Sequence, residues 1–218
     1  IRRAVVVGFE PLLNLTLQGF ASLLLYDPDE CRPFCNRRMG MQIGEAASCV
    51  ILEESDSAAA GKSGFAFAGG HLYNDNKSLT SAGTDGEMVR GVVSRALLKA
   101  GTEPEEIVAV KAHGTGTRDN DLSEGRGLAK VFEKHLPPVV SLKATIGHTL
   151  GAAGAVETAL WLSCLDQGVI PKSFGFAETD PEIGFAPSQE NLPAADGAYL
   201  FTFFGFGGTC TSYVITKM

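Results

Sequence analysis

The sequence lacks the features by which membrane-spanning, secreted and nucleic-acid-binding chains are recognised. Its longest apolar runs are far too short to cross a bilayer, and no basic segment followed by an apolar one opens the chain as a secretory signal would. It holds 18 Lys and Arg against 25 Asp and Glu, for a formal net charge of -7, and no block of basic residues stands out. We therefore expect a protein that binds neither membrane nor nucleic acid.

The chain also lacks an initiator methionine, because it opens at Ile1, directly in a strand-like run. This suggests a fragment or a cleaved product of a longer protein. Its 218 residues, of which 44% are hydrophobic, nevertheless suit one compact unit with a sizeable core.

Cysteines are few, and their number is odd: Cys31, Cys35, Cys49, Cys164 and Cys210. An odd count in a chain of this size argues against a disulfide framework, so we expect the protein in the reducing cytoplasm. Cys31 and Cys35 lack a second ligand pair at a suitable spacing, so we expect no metal site. Cys49 lies in the apolar run 46–52, where a buried core thiol is expected.

Strand-like and helix-like segments alternate along the chain. The strand-like segments are short apolar runs, and they cover residues 4–7, 44–52, 65–72, 107–110, 139–142, 199–203 and 211–216. The helix-like segments cover residues 12–25, 88–97, 121–134 and 149–165. The polar stretches 55–64 and 74–84 predict a linker and a long loop. The alternation predicts an α/β fold with a mostly parallel sheet layered with helices, in which the last two strands form a hairpin.

The helical segment 88–97 carries the clearest local signals. Thr84 and Glu87 match the Thr-x-x-Glu pattern of a capping box before it. Gly101 follows it where a left-handed C-terminal cap would stand. We therefore predict a capped helix here.

Three segments place unusual residues directly after a predicted strand. They are His-Gly-Thr-Gly-Thr at 113–117, Ser-Leu-Lys-Ala-Thr-Ile-Gly-His at 141–148 and Phe-Gly-Phe-Gly-Gly-Thr at 204–209. Ligands of open α/β sheets gather at the carboxyl ends of strands, so the three segments are candidates for one site. Each alone also has an ordinary interpretation: a loop with a capping histidine, a small-residue packing helix with a chance histidine, and a hairpin turn with one exposed aromatic.

The residue types in these segments suit the binding of an oxyanion and of an amide-bearing arm. His148 precedes a predicted helix, whose positive end favours a neutral imidazole that can donate one N–H to a developing oxyanion. After His113, glycines allow close backbone approach, and the hydroxyls of Thr115 and Thr117 offer donors and acceptors.

In this order and spacing the three segments resemble the β-ketoacyl synthases of fatty acid and polyketide synthesis, which have the thiolase fold. Gly-Phe-Glu at 8–10, Arg-Pro-Phe at 32–34 and Gly-Glu-Ala-Ala at 44–47 are similar to further landmarks of that family. The resemblance covers essentially the whole chain. It implies that residues 1–54 end the N-terminal half of the family's duplicated fold and that residues 65–218 form its C-terminal half.

The resemblance implies a decarboxylative Claisen condensation between malonyl-acyl carrier protein and an acyl thioester. His113 and His148 match the two histidines that stabilise the enolate, and Lys143 matches the family's lysine, with an electrostatic and orienting role. Glu124 matches a carboxylate that usually pairs with this lysine, and Asp121 is expected to support the loop. The substrates are carried on the phosphopantetheine of the acyl carrier protein, so no separate cofactor or metal is expected.

Residues of the substrate pocket can also be assigned by resemblance. Thr115 and Thr117 match threonines that contact the phosphopantetheine arm, Phe206 matches an aromatic that gates the acyl pocket, and Phe20 matches one that lines it. The family's nucleophilic cysteine lies in a Cys-Ser-Ser motif that would precede Ile1, so this chain alone should not form the acyl-enzyme. Cys210 stands where the family usually has Asn, a departure that affects hydrogen bonding in the glycine-rich loop.

Alternatives remain at this point: a non-catalytic partner like a chain-length factor, a degradative thiolase, or a carrier-protein-binding module without chemistry. The resemblance implies as partners the cysteine-bearing N-terminal half, an acyl carrier protein, and a second subunit in a homodimer or a heterodimer with a synthase-like protein. We expect the chain to be unstable or to aggregate alone, because it would expose apolar surface.

Overall fold

A computed structural model describes residues 2–54, 64–74, 83–133 and 135–218 of the protein. Its main sheet contains five strands: β3 (Phe65–Asn74), β4 (Ile107–Lys111), β5 (Val139–Val140), β8 (Gly197–Phe204) and β9 (Thr209–Lys217). Two smaller antiparallel pairs lie outside it: β1 (Arg3–Glu10) with β2 (Ala46–Glu53), and β6 (Val169–Ile170) with β7 (Leu192–Pro193). The helices are α1 (Asn14–Ser22), α2 (Glu87–Ala100), α3 (Arg118–Phe132), α4 (Lys143–Ile146) and α5 (Ala153–Asp166).

The main sheet is mixed, in the order β3-β9-β8-β4-β5. Strand β4 runs parallel to β5 and to β8, whereas β9 runs antiparallel to β8 and to β3. The predicted α/β layering is confirmed, but a parallel sheet is found only on the β8-β4-β5 side. The reason is the predicted hairpin, which is also confirmed: only four residues, 205–208, connect β8 to β9, so the chain must turn back on itself.

Helix α2 packs its apolar face on β3 and β9 and forms much of one core cluster. Its predicted C-terminal cap is confirmed, because Gly101 has a φ of 63°. The predicted capping box is wrong. Gly86, with a φ of 75°, is the N-terminal cap of the helix, and Asp85 rather than Thr84 accepts a hydrogen bond from the Glu87 N–H at 3.0 Å.

The other predicted helices exist with shifted bounds. Helix α1 is shorter than 12–25, since Leu24 has a positive φ of 57°. Helix α3 begins at Arg118 rather than at 121, and α5 begins at Ala153 after the 3-10 turn Leu150–Ala152. No helix among the described residues is long and apolar enough to cross a membrane.

The β1–β2 ribbon presents one face to α5 and leaves the other uncovered. A Cβ at Gly8 would lie 2.9 Å from that of Ala155, so only glycine permits this approach of strand and helix. On the opposite face Val7 is 69% exposed, and its ladder partner Cys49 is exposed as well. The expectation of a buried Cys49 is therefore wrong, because no described residue covers this face.

The proposed boundary between residues 54 and 65 remains a prediction. The stretches predicted as a linker and a loop, 55–64 and 74–84, lie almost entirely at 55–63 and 75–82, outside the described residues.

Candidate active site

The three parallel strands bring the three predicted segments to one edge of the sheet. His113 follows β4, Lys143 follows β5, and Phe204 ends β8. The ring of His113 lies 5.3 Å from that of His148, centroid to centroid, at an angle of 84°. It also lies 5.2 Å from the ring of Phe204. The two histidines therefore converge on one place, as the strand-end argument predicted.

Glu124, on α3, holds the backbone of the loop that carries His113. One of its carboxylate oxygens accepts a hydrogen bond from the His113 N–H at 2.8 Å, and the other accepts one from the Gly114 N–H at 2.8 Å. The hydroxyl of Thr202, on β8, donates to the same carboxylate at 2.5 Å. Burial raises the pKa of Glu124, and these three donors oppose the rise.

The expected pairing of Glu124 with Lys143 is wrong. The Lys143 ammonium lies 2.6 Å from Oε1 of Glu157, on α5, and both side chains are fully buried. Lys111, the last residue of β4, pairs with the other oxygen of the same carboxylate. Burial opposes ionisation of Glu157, but the two ammonium groups outweigh it and lower the pKa of this carboxyl. Glu124 is committed to backbone N–H groups instead.

Both site histidines are held neutral. Burial, reinforced by the charge of Lys143, lowers the pKa of His148 to about 3 and that of His113 well below its usual value. The N–H of Leu150 donates to Nδ1 of His148 at 3.2 Å, so the imidazole proton must reside on Nε2. Burial, rather than the helix end invoked from the sequence, is the main cause of the neutral state.

His148 is positioned by the segment that precedes β2. Its N–H donates to the carbonyl of Gln42 at 2.7 Å, and its own carbonyl accepts from the N–H of Gly44 at 3.1 Å. A Cβ at Gly44 would lie 2.2 Å from the carbonyl oxygen of Ile146, so a side chain cannot fit there. The Gly-Glu-Ala-Ala landmark at 44–47 therefore contributes directly to the site.

Asp121 supports the loop after His113. Its carboxylate accepts hydrogen bonds from the backbone N–H groups of Phe34 at 2.7 Å, Thr115 at 3.0 Å and Gly116 at 3.2 Å. Burial raises its pKa, and these donors oppose the rise. The buried Arg38 lies beside it and pairs with Asp180 at 2.5 Å. The loop that begins at His113 is thus fastened to the Arg-Pro-Phe segment at 32–34.

A cavity of about 570 Å³ opens in front of the two histidines. The predicted substrate residues line it together with them: Phe20, Thr115, Thr117 and Phe206. The hydroxyls of Thr115 and Thr117 lie 2.9 Å apart, and the rings of Phe20 and Phe206 stack at 5.5 Å. Lys143, Glu124 and Asp121 lie behind the cavity wall rather than in it.

Cys210 lies at the end of the glycine-rich turn and is buried in the core cluster that includes α2. The turn is closed by backbone, since the Gly205 N–H donates to the carbonyl of Thr209 at 2.8 Å. This closure does not depend on the side chain at position 210.

Sequence reasoning missed Lys111, Glu157 and Thr202. Each had a weak signal: a lysine ending an apolar strand, the single acidic residue in the small and apolar first turns of α5, and a threonine inside an aromatic strand. None of these signals indicates which partner the side chain meets.

Comparison with known proteins agrees with this fold. A family model described as the C-terminal domain of β-ketoacyl synthase matches residues 66–177. The chain is 33% identical over 216 residues to 3-oxoacyl-[acyl-carrier-protein] synthase 2 of Mycobacterium bovis, covering 94% of this chain and 52% of that protein. It is 33% identical over 192 residues to the oxytetracycline polyketide putative β-ketoacyl synthase 1 of Streptomyces rimosus, covering 85% and 45%.

Among solved structures, the complex of ketosynthase ApeO with its chain length factor ApeC from Xenorhabdus doucetiae contains a similar chain. The match has a TM-score of 0.86 at 30% identity and covers 100% of this chain and 54% of that one. The chain belongs to the β-ketoacyl synthase family and has its thiolase-type fold. It spans about half the length of the relatives it matches.

Proposed function

We propose that this chain is the C-terminal half of a condensing enzyme of fatty acid or polyketide synthesis. The full-length protein would join malonyl-acyl carrier protein to an acyl thioester with loss of carbon dioxide. The observation that carries the proposal is the pair of buried, neutral imidazoles 5.3 Å apart at the head of one cavity. The cysteine that holds the acyl group would come from the half of the protein that this chain does not include.

The first step of this reaction needs donors for an enolate oxygen. The bond between the malonyl methylene and its carboxylate breaks, carbon dioxide leaves, and the electron pair moves onto the thioester oxygen. Nε2–H of His148 and one N–H of His113 would donate to that oxygen. Each such donor contributes roughly 10²–10³ in rate. Because the imidazoles are neutral, they stabilise the enolate without readily protonating its carbon.

The second step forms the new carbon–carbon bond. The enolate carbon attacks the carbonyl of the acyl thioester, the carbon–sulfur bond breaks, and the cysteine leaves as its thiolate. Lys143, paired with Glu157 behind the cavity, would contribute a positive field that favours the enolate. The hydroxyls of Thr115 and Thr117 on the cavity wall suit the amide groups of a phosphopantetheine arm.

The partners follow from the same proposal. An acyl carrier protein would deliver both thioesters, in keeping with the name of the mycobacterial relative. A homodimer, or a heterodimer with a synthase-like subunit, is supported by the structural match to a ketosynthase complex with a chain length factor. We also place the protein in the cytoplasm. The match to that complex leaves a non-catalytic chain-length factor as the second candidate, which the intact His113, His148 and Lys143 argue against.

The test uses the full-length protein and measures carbon dioxide release from malonyl-acyl carrier protein. His113→Ala and His148→Ala should each lower the rate by roughly 10²–10³. His135→Ala, at an exposed histidine, is the matched control and should leave the rate unchanged. Unchanged decarboxylation after substitution of both site histidines would remove the mechanism. A wild-type protein that never decarboxylates, yet activates a synthase partner, would instead establish the chain-length factor.

A further inference from the structure

Lys111 is a fully buried lysine beside the site, and the reaction described above gives it no role. It ends β4, two residues before His113. Its ammonium pairs with Glu157 and lies 3.6 Å from the centroid of the Phe203 ring. A buried lysine costs free energy unless its charge is balanced, and Glu157 provides the balancing charge here.

Lys111 and Lys143 divide one carboxylate between them. Oε1 of Glu157 faces the ammonium of Lys143 and Oε2 faces that of Lys111. A carboxylate with a single ammonium partner would neutralise that partner, whereas here one negative charge is set against two positive ones. Glu124 is the other carboxylate facing Lys111, but its oxygens already accept from two backbone N–H groups and a hydroxyl.

We propose that Lys111 is a positioning residue for the condensation: by holding one oxygen of Glu157, it leaves a net positive charge in the Lys111–Glu157–Lys143 cluster, beside the two histidines. The inference rests on the proposed function. In the decarboxylation the negative charge moves from the malonyl carboxylate to the thioester oxygen beside the two histidines. A net positive charge behind the cavity favours this movement, and it disfavours protonation of both imidazoles.

The net positive charge of the cluster depends on pH, because it exists only while Lys111 is protonated. Burial lowers the pKa of Lys111 to about 8, and the charge of Lys143 acts in the same direction, while Glu157 and Glu124 oppose them. The extra positive charge is therefore present below about pH 8 and is lost as the pH rises through that value. Raising the pH and substituting Lys111 with a neutral residue should have the same effect on the rate.

The experiment compares wild-type full-length protein with Lys111→Gln, with malonyl-acyl carrier protein as the substrate. Wild-type decarboxylation should fall as the pH passes about 8. The variant should show no such fall and should run on the order of tenfold below wild type at low pH, the scale of one charge in a protein interior. Lys172→Gln is the control, because Lys172 also lies over an aromatic ring, 4.7 Å from that of Phe174, but away from the site.

Carbon-13 NMR of lysine-labelled protein measures the protonation of Lys111 independently of enzymatic activity. One lysine resonance should titrate near pH 8 in wild type and be missing from Lys111→Gln. A variant with the wild-type rate and pH profile overturns the inference. If the variant does not fold, a wild-type rate that stays level through pH 8 overturns it equally. Wild-type protein without any decarboxylation refutes the proposed function instead, and the NMR titration alone then decides the charge of Lys111.

Discussion

The neutral state of His148 should make the protein unstable in acid, and His148→Gln isolates the effect. In the fold, burial and the charge of Lys143 keep the imidazole unprotonated down to a pKa of about 3. In the unfolded chain the same ring takes up a proton near its ordinary pKa of 6.5. Between these values the unfolded state binds more protons than the native state, so the free energy of unfolding must fall as the pH falls.

The magnitude follows from the difference between the two pKa values. At pH 5 only the unfolded chain protonates this ring, and this lowers the free energy of unfolding by about 2 kcal/mol. By pH 3, where the native ring is itself half protonated, the loss reaches about 4 kcal/mol, a large part of the stability of an ordinary domain. The pKa of His113 is lowered in the same direction, so its contribution adds to that of His148.

The assay is urea unfolding of the full-length protein at pH 7 and pH 5, on wild type, His148→Gln and His135→Gln. Glutamine keeps an acceptor for the Leu150 N–H but binds no proton in this range. The loss of stability between the two pH values should be smaller by about 2 kcal/mol in His148→Gln than in wild type. The variant at the exposed His135 serves as the control and should match wild type. An equal loss in all three proteins would show that His148 is protonated in the fold. That result would refute its proposed role as a neutral donor to the enolate oxygen.

Three further outcomes are expected. Glu157→Gln removes the carboxylate that pairs with two buried ammonium groups and should lower the free energy of unfolding by about 3–5 kcal/mol. Glu178→Gln breaks an exposed ion pair and should change it by less than about 1 kcal/mol. Phe206→Ala removes a half-exposed ring at the cavity mouth and should alter the rate of acyl loading, with a change in thermal stability below about 1.5 kcal/mol. Val7→Lys should reduce light scattering by the isolated 1–218 chain, while Leu98→Lys on α2 should not, if the ribbon face drives aggregation.

The sequence predicts where the site forms because its information there is local. Each of the three segments stands at the end of an apolar strand-like run, and the carboxyl ends of parallel strands necessarily share one edge. Likewise, the short glycine-rich segment between the last two predicted strands, 199–203 and 211–216, predicts a hairpin. The sequence therefore predicts that His113, Lys143 and Phe204 lie close together.

The charge partners could not be predicted in the same way, because they depend on the rotation of helices packed against the sheet. Glu124 and Glu157 lie on α3 and α5, and both are fully buried near the same strand ends. The sequence does not reveal the axial rotation of either helix, so it cannot show which of the two carboxylates meets a lysine. The prediction that Cys49 is buried was wrong for a related reason, since an apolar run does not show whether anything covers its second face.

The two buried glutamates, Glu124 and Glu157, have different roles: one positions the backbone of the site, and the other sets its charge. Glu124 accepts from the N–H groups of His113 and Gly114, so it sets where the first imidazole stands. Among the residues that the structure describes, Glu157 accepts only from ammonium groups, so it sets the charge beside both imidazoles. A glutamine at position 124 can accept through only one oxygen and would leave a buried N–H unpaired, at a cost of about 1–3 kcal/mol. Such a change should displace His113 and lower the rate at every pH, whereas changes in the Glu157 cluster should alter the dependence of the rate on pH.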